Sequence, residues 1–250
     1  MSAFQIRRYE NEDYDIVRQI FVSGINSHWP NSFFYVLSKP FIQLTFISVS
    51  CLLYLISKSF ILPFLAIFLM LLLLNKIIIV YYNIRIKSSL NSDMLDIKKT
   101  YMEAKDSCFW VAEYNGKVVG TVAAVPSNEL IDAIELKRMY VKKEHQCQGI
   151  GRALCKTVLE FASDNDYQTV MLSTFAFRND ARKFYEACGF TMRRIYVYPS
   201  FMGRIFNLKK IDYRLDVLPS KEVAGALFKS ELFKMHHIHF FKFMLIFSLD

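Results

Sequence analysis

The spacing of apolar residues changes repeatedly along the chain, and each change predicts a new element. Phe4–Tyr9 has the alternation of a short strand. From Asn11 to about Ile25 the period lengthens to that of a helix. Tyr14, Val17, Ile20 and Phe21 share one face, and Glu12, Asp13 and Asp15 stand near its start, where the helix dipole favours acids. Phe41–Tyr82 has no period at all and is almost wholly apolar, broken by Lys58 with its serines, by Pro63 and by Asn75-Lys76. Ser92 or Asp93 then caps a predicted helix carrying Met94, Ile97, Tyr101 and Met102. Cys108–Tyr114 and Lys117–Val125 flank Asn115-Gly116, a hairpin signal because both central residues of a type I′ turn need positive φ. A strand at Glu135–Val141, a helix at Arg152–Asp164, a strand at Thr169–Thr174 and a helix at Asn179–Cys188 follow. Gly189 closes the last as a left-handed cap, and late strands run near Arg193–Tyr198 and Ile211–Val217.

The apolar block is too long for one crossing of a bilayer, since a helix rising about 1.5 Å per residue spans a core of about 30 Å with about 20 residues. It predicts two crossings, Phe41–Ile56 and Phe60–Val80, turning near Ser57-Lys58-Ser59. An even number is also required topologically. A strand and a helix precede the block, and one domain cannot be built from pieces on opposite sides of a membrane. The expected organisation is therefore residues 1–30 as the first strand and helix of a domain, 38–83 as a membrane hairpin, 90–217 as the rest of that domain, and 218–250 as a tail. Lys39, Lys76, Arg85 and Lys87 flank the hairpin on the domain side and only Lys58 marks its turn, so the positive-inside tendency puts the domain in the cytosol. Met1–Asn26 is charged, unlike a cleavable signal peptide. The mean hydropathy of +0.21 is high for a soluble domain, and the block accounts for it.

Chemistry enters at Gln146-Cys147-Gln148-Gly149-Ile150-Gly151, a polar loop between a predicted strand and a predicted helix. The first amides of a helix lack intrahelical acceptors and carry the positive end of its dipole, and glycine lets a phosphate approach the backbone. No Gly-x-x-x-x-Gly-Lys-Ser/Thr run exists. The dinucleotide fingerprint fails because Leu154 occupies the position where Gly or Ala packs helix against strand. What remains, Gln-x-x-Gly-x-Gly after a strand, resembles the pyrophosphate loop of the GCN5-related N-acetyltransferase (GNAT) superfamily.

The element order β, α, α, β, β, β, α, β, α, β, β agrees with that fold. Several segments resemble a narrower group, the camello-type or N-acetyltransferase-eight family of membrane N-acetyltransferases. They are Asp93-Met94-x-Asp96-Ile97, Ser107–Glu113, Lys117–Val122, Glu144-His145-x-x-Gln148-Gly149-Ile150 and Tyr185-x-x-x-Gly189-Phe190. The resemblance implies an α/β fold with a mixed, splayed central sheet flanked by helices, interrupted here by an inserted transmembrane hairpin. It implies acetyl-coenzyme A as co-substrate and an amine acceptor, either a small amine such as a cysteine S-conjugate or a protein lysine; a related family acetylates aspartate. It also implies residence in the endoplasmic reticulum membrane. One departure is visible: the family usually carries Arg where Gln146 or Cys147 stands.

Direct acetyl transfer needs a base for the ammonium and an acid for the departing thiolate. By the resemblance, Tyr185 is the candidate acid and Glu135 the candidate base. Amides of Met139, Tyr140 and Val141 line the pantetheine and polarise the carbonyl. Those of Gln146, Cys147, Gln148, Gly149, Ile150 and Gly151 cradle the pyrophosphate with Arg152 beside them, and Asn179 bonds the pantetheine arm. His145 is a solvated loop residue or a proton relay. The alternative function is an acyl-coenzyme A-binding membrane protein without turnover. The net charge of +8 invites a nucleic-acid reading, but the basic residues form no aromatic-laced groove, and anionic lipid and coenzyme account for it better. The five cysteines form no Cys-x-x-Cys pair, which suits a reducing compartment. His236, His237 and His239 lack accompanying carboxylates or cysteines, so no metal is expected, and the tail is expected to be interfacial or disordered.

Overall fold

The computed structural model describes residues 4–217; the tail, with its histidines, lies outside the described residues. Four antiparallel neighbours, β1 (Phe4–Arg8), β2 (Cys108–Tyr114), β3 (Lys117–Pro126) and β4 (Ala133–Val141), form one half of a sheet. β5 (Thr169–Phe175) joins β4 in parallel. β6 (Thr191–Val197) and β7 (Lys209–Asp216) complete seven strands in the order β1-β2-β3-β4-β5-β7-β6. The hairpin between β2 and β3 turns on Asn115 and Gly116, both at positive φ (50° and 71°), as the Asn-Gly pair predicts.

Helices cover both faces. α5 (Ile150–Asp164) and α6 (Asn179–Ala187) bury Leu154, Val158 and Tyr185 against Ile134, Val170 and Tyr213. On the other face α1 (Tyr14–Asn26) buries Val17, Ile20 and Phe21 with Met94, Ile97, Tyr101 and Phe109. α2 (Trp29–Leu37), α3 (Pro40–Ser57) and α4 (Ile61–Leu90) follow α1 and contribute Val36, Ile42, Leu74 and Ile78 to a third cluster with Leu208.

α3 and α4 are long and apolar enough to cross a membrane, and only 6% and 11% of their most apolar windows are buried. Lys58 caps α3 in the left-handed region (φ 52°), so the turn falls where the serines predict it. The pairing of β1 with β2 brings the chain back to the sheet it left before the hairpin, Phe4 opposite Tyr114 and Arg8 opposite Trp110.

Four elements differ from expectation. The helix expected after Ser92 is irregular chain ending in one π-helical turn, Lys98–Met102, because Asp93 is not a cap: its carboxylate is taken by Arg138 and Tyr101. α2 is an addition whose Pro30 sits in the first turn, where a missing N–H costs nothing. So is a short α7 (Phe201–Ile205), capped by the Ser200 hydroxyl accepting from the Gly203 amide at 2.9 Å. α4 also continues past Val80 to Leu90.

β4 carries a bulge. Tyr140 lies opposite Thr121 but Lys137 opposite Ala123, so β4 holds one residue more than β3 over this interval. Arg138 absorbs it at φ 53°, and the Thr121 hydroxyl donates to its carbonyl at 2.8 Å.

Candidate active site

Parallel pairing between β4 and β5 is confined to Ala133–Glu135 against Thr169–Met171. Beyond Glu135 the bulge turns β4 away, and the two strands part. The backbone edge of β4 that faced β5 is thereby left for another partner. Met139, Tyr140 and Val141 all lie on this diverging stretch.

Past β4 the chain turns through Lys143–His145 and reaches the glycine loop. Cys147 (φ 59°) and Gly149 (φ 84°) are both left-handed, and Gly149 caps α5 with no side-chain bond. Among the described residues the amides from Cys147 to Arg152 donate to no protein acceptor; the first helical bond runs from Ala153 to the Gly149 carbonyl at 3.0 Å. A side chain at Gly149 would meet no neighbour, but its φ suits only glycine. At Gly151 an added Cβ would come within 3.4 Å of Phe184, so helix α6 closes on the loop there. Gln146 braces the loop by donating from Nε2 to the Val141 carbonyl at 3.0 Å, and Gln148 does so to the Glu144 carbonyl at 3.3 Å. Arg152 is exposed beside them. A bare arc of amides at a helix start, free of side chains and edged by a cation, fits a diphosphate.

Tyr185 projects from α6 and is 8% exposed, between Phe184, Phe190 and Tyr213. Burial pushes its phenol well above the usual range, and Arg178 opposes the shift. The group therefore stays protonated and able to donate. Asn179 is exposed at the start of α6. Glu135 sits at the point where the strands separate, and its carboxylate is ion-paired with Lys137 at 3.0 Å. It is absent from the walls of the cavity described next. His145 packs its ring 5.1 Å from that of Tyr114, with Nδ1 buried and unpartnered.

On the opposite face of the fork from α5 lies a cavity of about 170 Å³. Its walls come from the α1–α2 junction (Ile25, His28, Val36), α4 (Ile78, Tyr82, Arg85), β4 (Arg138, Tyr140) and the chain after β5 (Phe177, Arg178). Arg138 is held by Asp93 through bonds of 2.8 and 2.5 Å and lies 4.6 Å from the Phe21 ring. The pairing holds the Asp93 carboxyl below its ordinary range against the opposing effect of burial. Burial, aided by Arg178, lowers the His28 imidazole to about 4, so it is neutral near pH 7. Local sequence singles out neither His28 nor Arg138 nor Arg178; only His28, beside Pro30 at a helix junction, carries any signal of a loop.

These features have counterparts in known proteins. Residues 77–190 match the profile of the acetyltransferase (GNAT) family. The chain is 34% identical over 220 residues to a probable N-acetyltransferase camello of Xenopus tropicalis, covering 87% of this chain and 99% of that one. It is 36% identical over 211 residues to N-acetyltransferase 8B of Mus musculus, covering 83% and 90%. A crystal structure of a GNAT-family acetyltransferase from Staphylococcus aureus aligns with 86% of this chain and 99% of its own at a TM-score of 0.51 and 15% identity, a likeness of fold. With the forked sheet, the amide-lined loop and relatives matched over nearly their full length, the chain belongs to the camello and N-acetyltransferase 8 family and is an N-acetyltransferase of the GNAT type.

Proposed function

We propose that this protein is a membrane-anchored enzyme that transfers the acetyl group of acetyl-coenzyme A directly to a small primary amine. The observation that carries this reading is the fork itself: separated β4 and β5, an amide-lined loop on one face and a walled cavity on the other, with the protonated Tyr185 phenol buried beside the gap.

Acetyl-coenzyme A supplies an acyl carbon on a thiol leaving group. The Gln146 amide, expected to join the cradle, is taken by the Lys143 carbonyl, so the amides of residues 147–151, with Arg152, hold the diphosphate, and Asn179 binds the pantetheine arm. Amides on Met139–Val141 donate to the carbonyl oxygen as charge builds there, an interaction worth most where water is excluded. Glu135 takes the ammonium proton through an intervening water, since Lys137 engages its carboxylate directly. As the N–C bond forms and the C–S bond breaks, Tyr185 gives its proton to the sulfur, and the second proton shed by the acylated nitrogen returns to the phenolate, leaving the neutral amide. No acyl-enzyme is formed.

The acceptor enters from the cavity. Its wall of Ile25, Val36, Ile78 and Phe177 suits an apolar substituent such as that of a cysteine S-conjugate. A protein lysine is the other acceptor of this class. The α3–α4 hairpin lies in a bilayer, since its faces are largely unburied and apolar. The distribution of Lys39, Arg85 and Lys87 against Lys58 orients the domain to the cytosol, and the endoplasmic reticulum is the proposed membrane. Assay of labelled acetyl transfer to a panel of amines in sealed microsomes tests the activity, and protease digestion of the same vesicles tests the orientation. Absence of turnover with every amine despite tight acetyl-coenzyme A binding sinks the enzymatic assignment of the cavity.

A further inference from the structure

The chain between β6 and β7 stands beside the hairpin rather than above it. Phe206 and Leu208 belong to one apolar cluster with Leu74 and Ile78 of α4 and with Ile42 and Phe46 of α3. Met202, Phe206 and Leu208 share a cavity wall with Ile77 and Ile78. Leu74 lies about 9 Å inside Val80, where the apolar run of α4 ends, at about 1.5 Å per residue. The Tyr35 hydroxyl of α2 donates to the Asn207 carbonyl at 3.1 Å, and Arg85 of α4 donates to the Tyr198 hydroxyl at 2.5 Å. Both ties run to elements continuous with the hairpin, since only Ser38 and Lys39 separate α2 from α3.

The outward face of this rim is apolar and basic. Phe201 is 75% exposed, and Ile205 and Phe34 are exposed too. Residues four apart on a helix share a face, so Phe201 and Ile205 project together from α7. Arg204 and Lys209 are exposed beside them. No Asp or Glu stands between Glu186 and Asp212, or between Asp15 and Asp93, so the segments that build the rim carry no acid. The backbone there is closed on itself. The Ser200 hydroxyl takes the Gly203 amide and the Ser200 carbonyl takes that of Arg204. The Met202 and Gly203 carbonyls take the amides of Phe206 and Leu208. Bonded amides, projecting apolar side chains and unopposed cations suit the boundary between lipid headgroups and acyl chains. A second copy of the chain is a poor complement. In a two-fold pairing the patch would meet itself, bringing Arg204 and Lys209 against like charges.

We propose that α7 and the exposed side of α2 dip into the membrane interface beside the hairpin, in the leaflet on the domain's side. Phe201, Ile205 and Phe34 reach the acyl boundary, and Arg204 and Lys209 meet anionic headgroups. This rests on the reading of α3 and α4 as a membrane hairpin. A hairpin alone tethers the domain; the second contact fixes its tilt on the bilayer, and the charge of the leaflet sets how firmly it is held.

The test places single tryptophans in the full chain, reconstituted in phosphatidylcholine vesicles with and without phosphatidylserine. It reads quenching by lipids brominated on their acyl chains, as the difference from the natural chain, which keeps Trp29 and Trp110. Binding of labelled acetyl-coenzyme A measures folded protein. Leu69→Trp reports the hairpin, from the middle of the apolar run of α4. Ile131→Trp reports water: Ile131 is 93% exposed beside the start of β5, whereas Phe175 at the other end of that strand joins the cluster with α4. Phe201→Trp should be quenched at least about twofold more than Ile131→Trp. Phosphatidylserine should increase that quenching, and the pair Arg204→Gln with Lys209→Gln should abolish the increase while leaving Leu69→Trp unchanged. Equal quenching of Phe201→Trp and Ile131→Trp, with Leu69→Trp quenched, overturns the proposal and leaves the hairpin standing. Loss of quenching at Leu69→Trp overturns both. An indole at Phe201→Trp shielded from bromine and from aqueous iodide alike marks a protein, not lipid, as what covers the patch, and also overturns it. Quenching indifferent to phosphatidylserine overturns the assignment of Arg204 and Lys209 to headgroups.

Discussion

The two sides of the fork are built from different materials. The glycine-loop side is backbone: one short stretch of chain, two left-handed residues and a set of amides without acceptors. The cavity side is side chain: His28, Arg85, Arg138, Tyr140 and Arg178 come from four separate parts of the fold. A backbone site recognises what every acyl-coenzyme A shares, and changes in most of its side chains leave it intact. A side-chain site recognises one acceptor, and each residue in it is individually decisive. Tyr185, the proposed proton donor, is buried on α6 in the core that packs beneath α5.

That contrast can be broken at Tyr185 first. Tyr185→Phe removes the proton donor while keeping the ring packed against Phe190, so turnover should fall about 100- to 10,000-fold with acetyl-coenzyme A affinity nearly unchanged. Stopped assays alongside equilibrium binding separate the two quantities. On the loop side, Gly149→Val forces a branched residue into φ 84° and should weaken acetyl-coenzyme A binding about 10- to 100-fold. An equal loss of kcat with binding intact would contradict a purely cofactor-holding loop. On the cavity side, Asp93→Asn leaves Arg138 without its counter-charge, and about 1–3 kcal/mol of stability should go, since both side chains remain partly exposed (19% and 24%). The sign with pH follows from the lowered Asp93 value. The contribution is fully present above the ordinary carboxylate pKa of about 3.9 and is lost as pH falls below it through the folded value. Thermal unfolding of the natural chain should therefore show a step below about pH 4 that the Asn variant lacks. The smallest effect is expected at Gln146→Ala, whose exposed brace to Val141 is worth at most about 1 kcal/mol; a few-fold rise in the acetyl-coenzyme A KM would register it.

The loop side was readable from the chain because its physics is local. Gly149 and Gly151 follow a strand and open a helix, and that adjacency alone implies unpaired amides. The hairpin was readable for the same reason: two runs of apolar residues with Lys58 at their join are a statement about solvent. The cavity side was not, because its residues meet only after folding. Arg178 follows a strand unremarkably, and that its Nε is buried without a partner shows only in the folded chain. Asp93 looks like a helix cap by position, yet an arginine far along the chain claims its carboxylate and the helix does not form. A long-range ion pair overrode a local propensity there. α2 was missed because Trp29-Pro30 reads as a break, although proline is well suited to a first turn.

Side chains on a strand alternate between its two sides, so an inserted residue exchanges odd for even. Ile134 and Leu136 join the core beneath α5, and an unbroken alternation through residue 138 would add Tyr140 to it. Instead Met139 and Val141 take those places, and Tyr140 is delivered to the α1 side, where it walls the cavity. Were β4 to run through Arg138 without the bulge, strict alternation would turn the Tyr140 phenol toward the core beneath α5 and take it from the cavity wall. Which side of the sheet each of these residues faces is thus set by a count of residues before it is set by their chemistry.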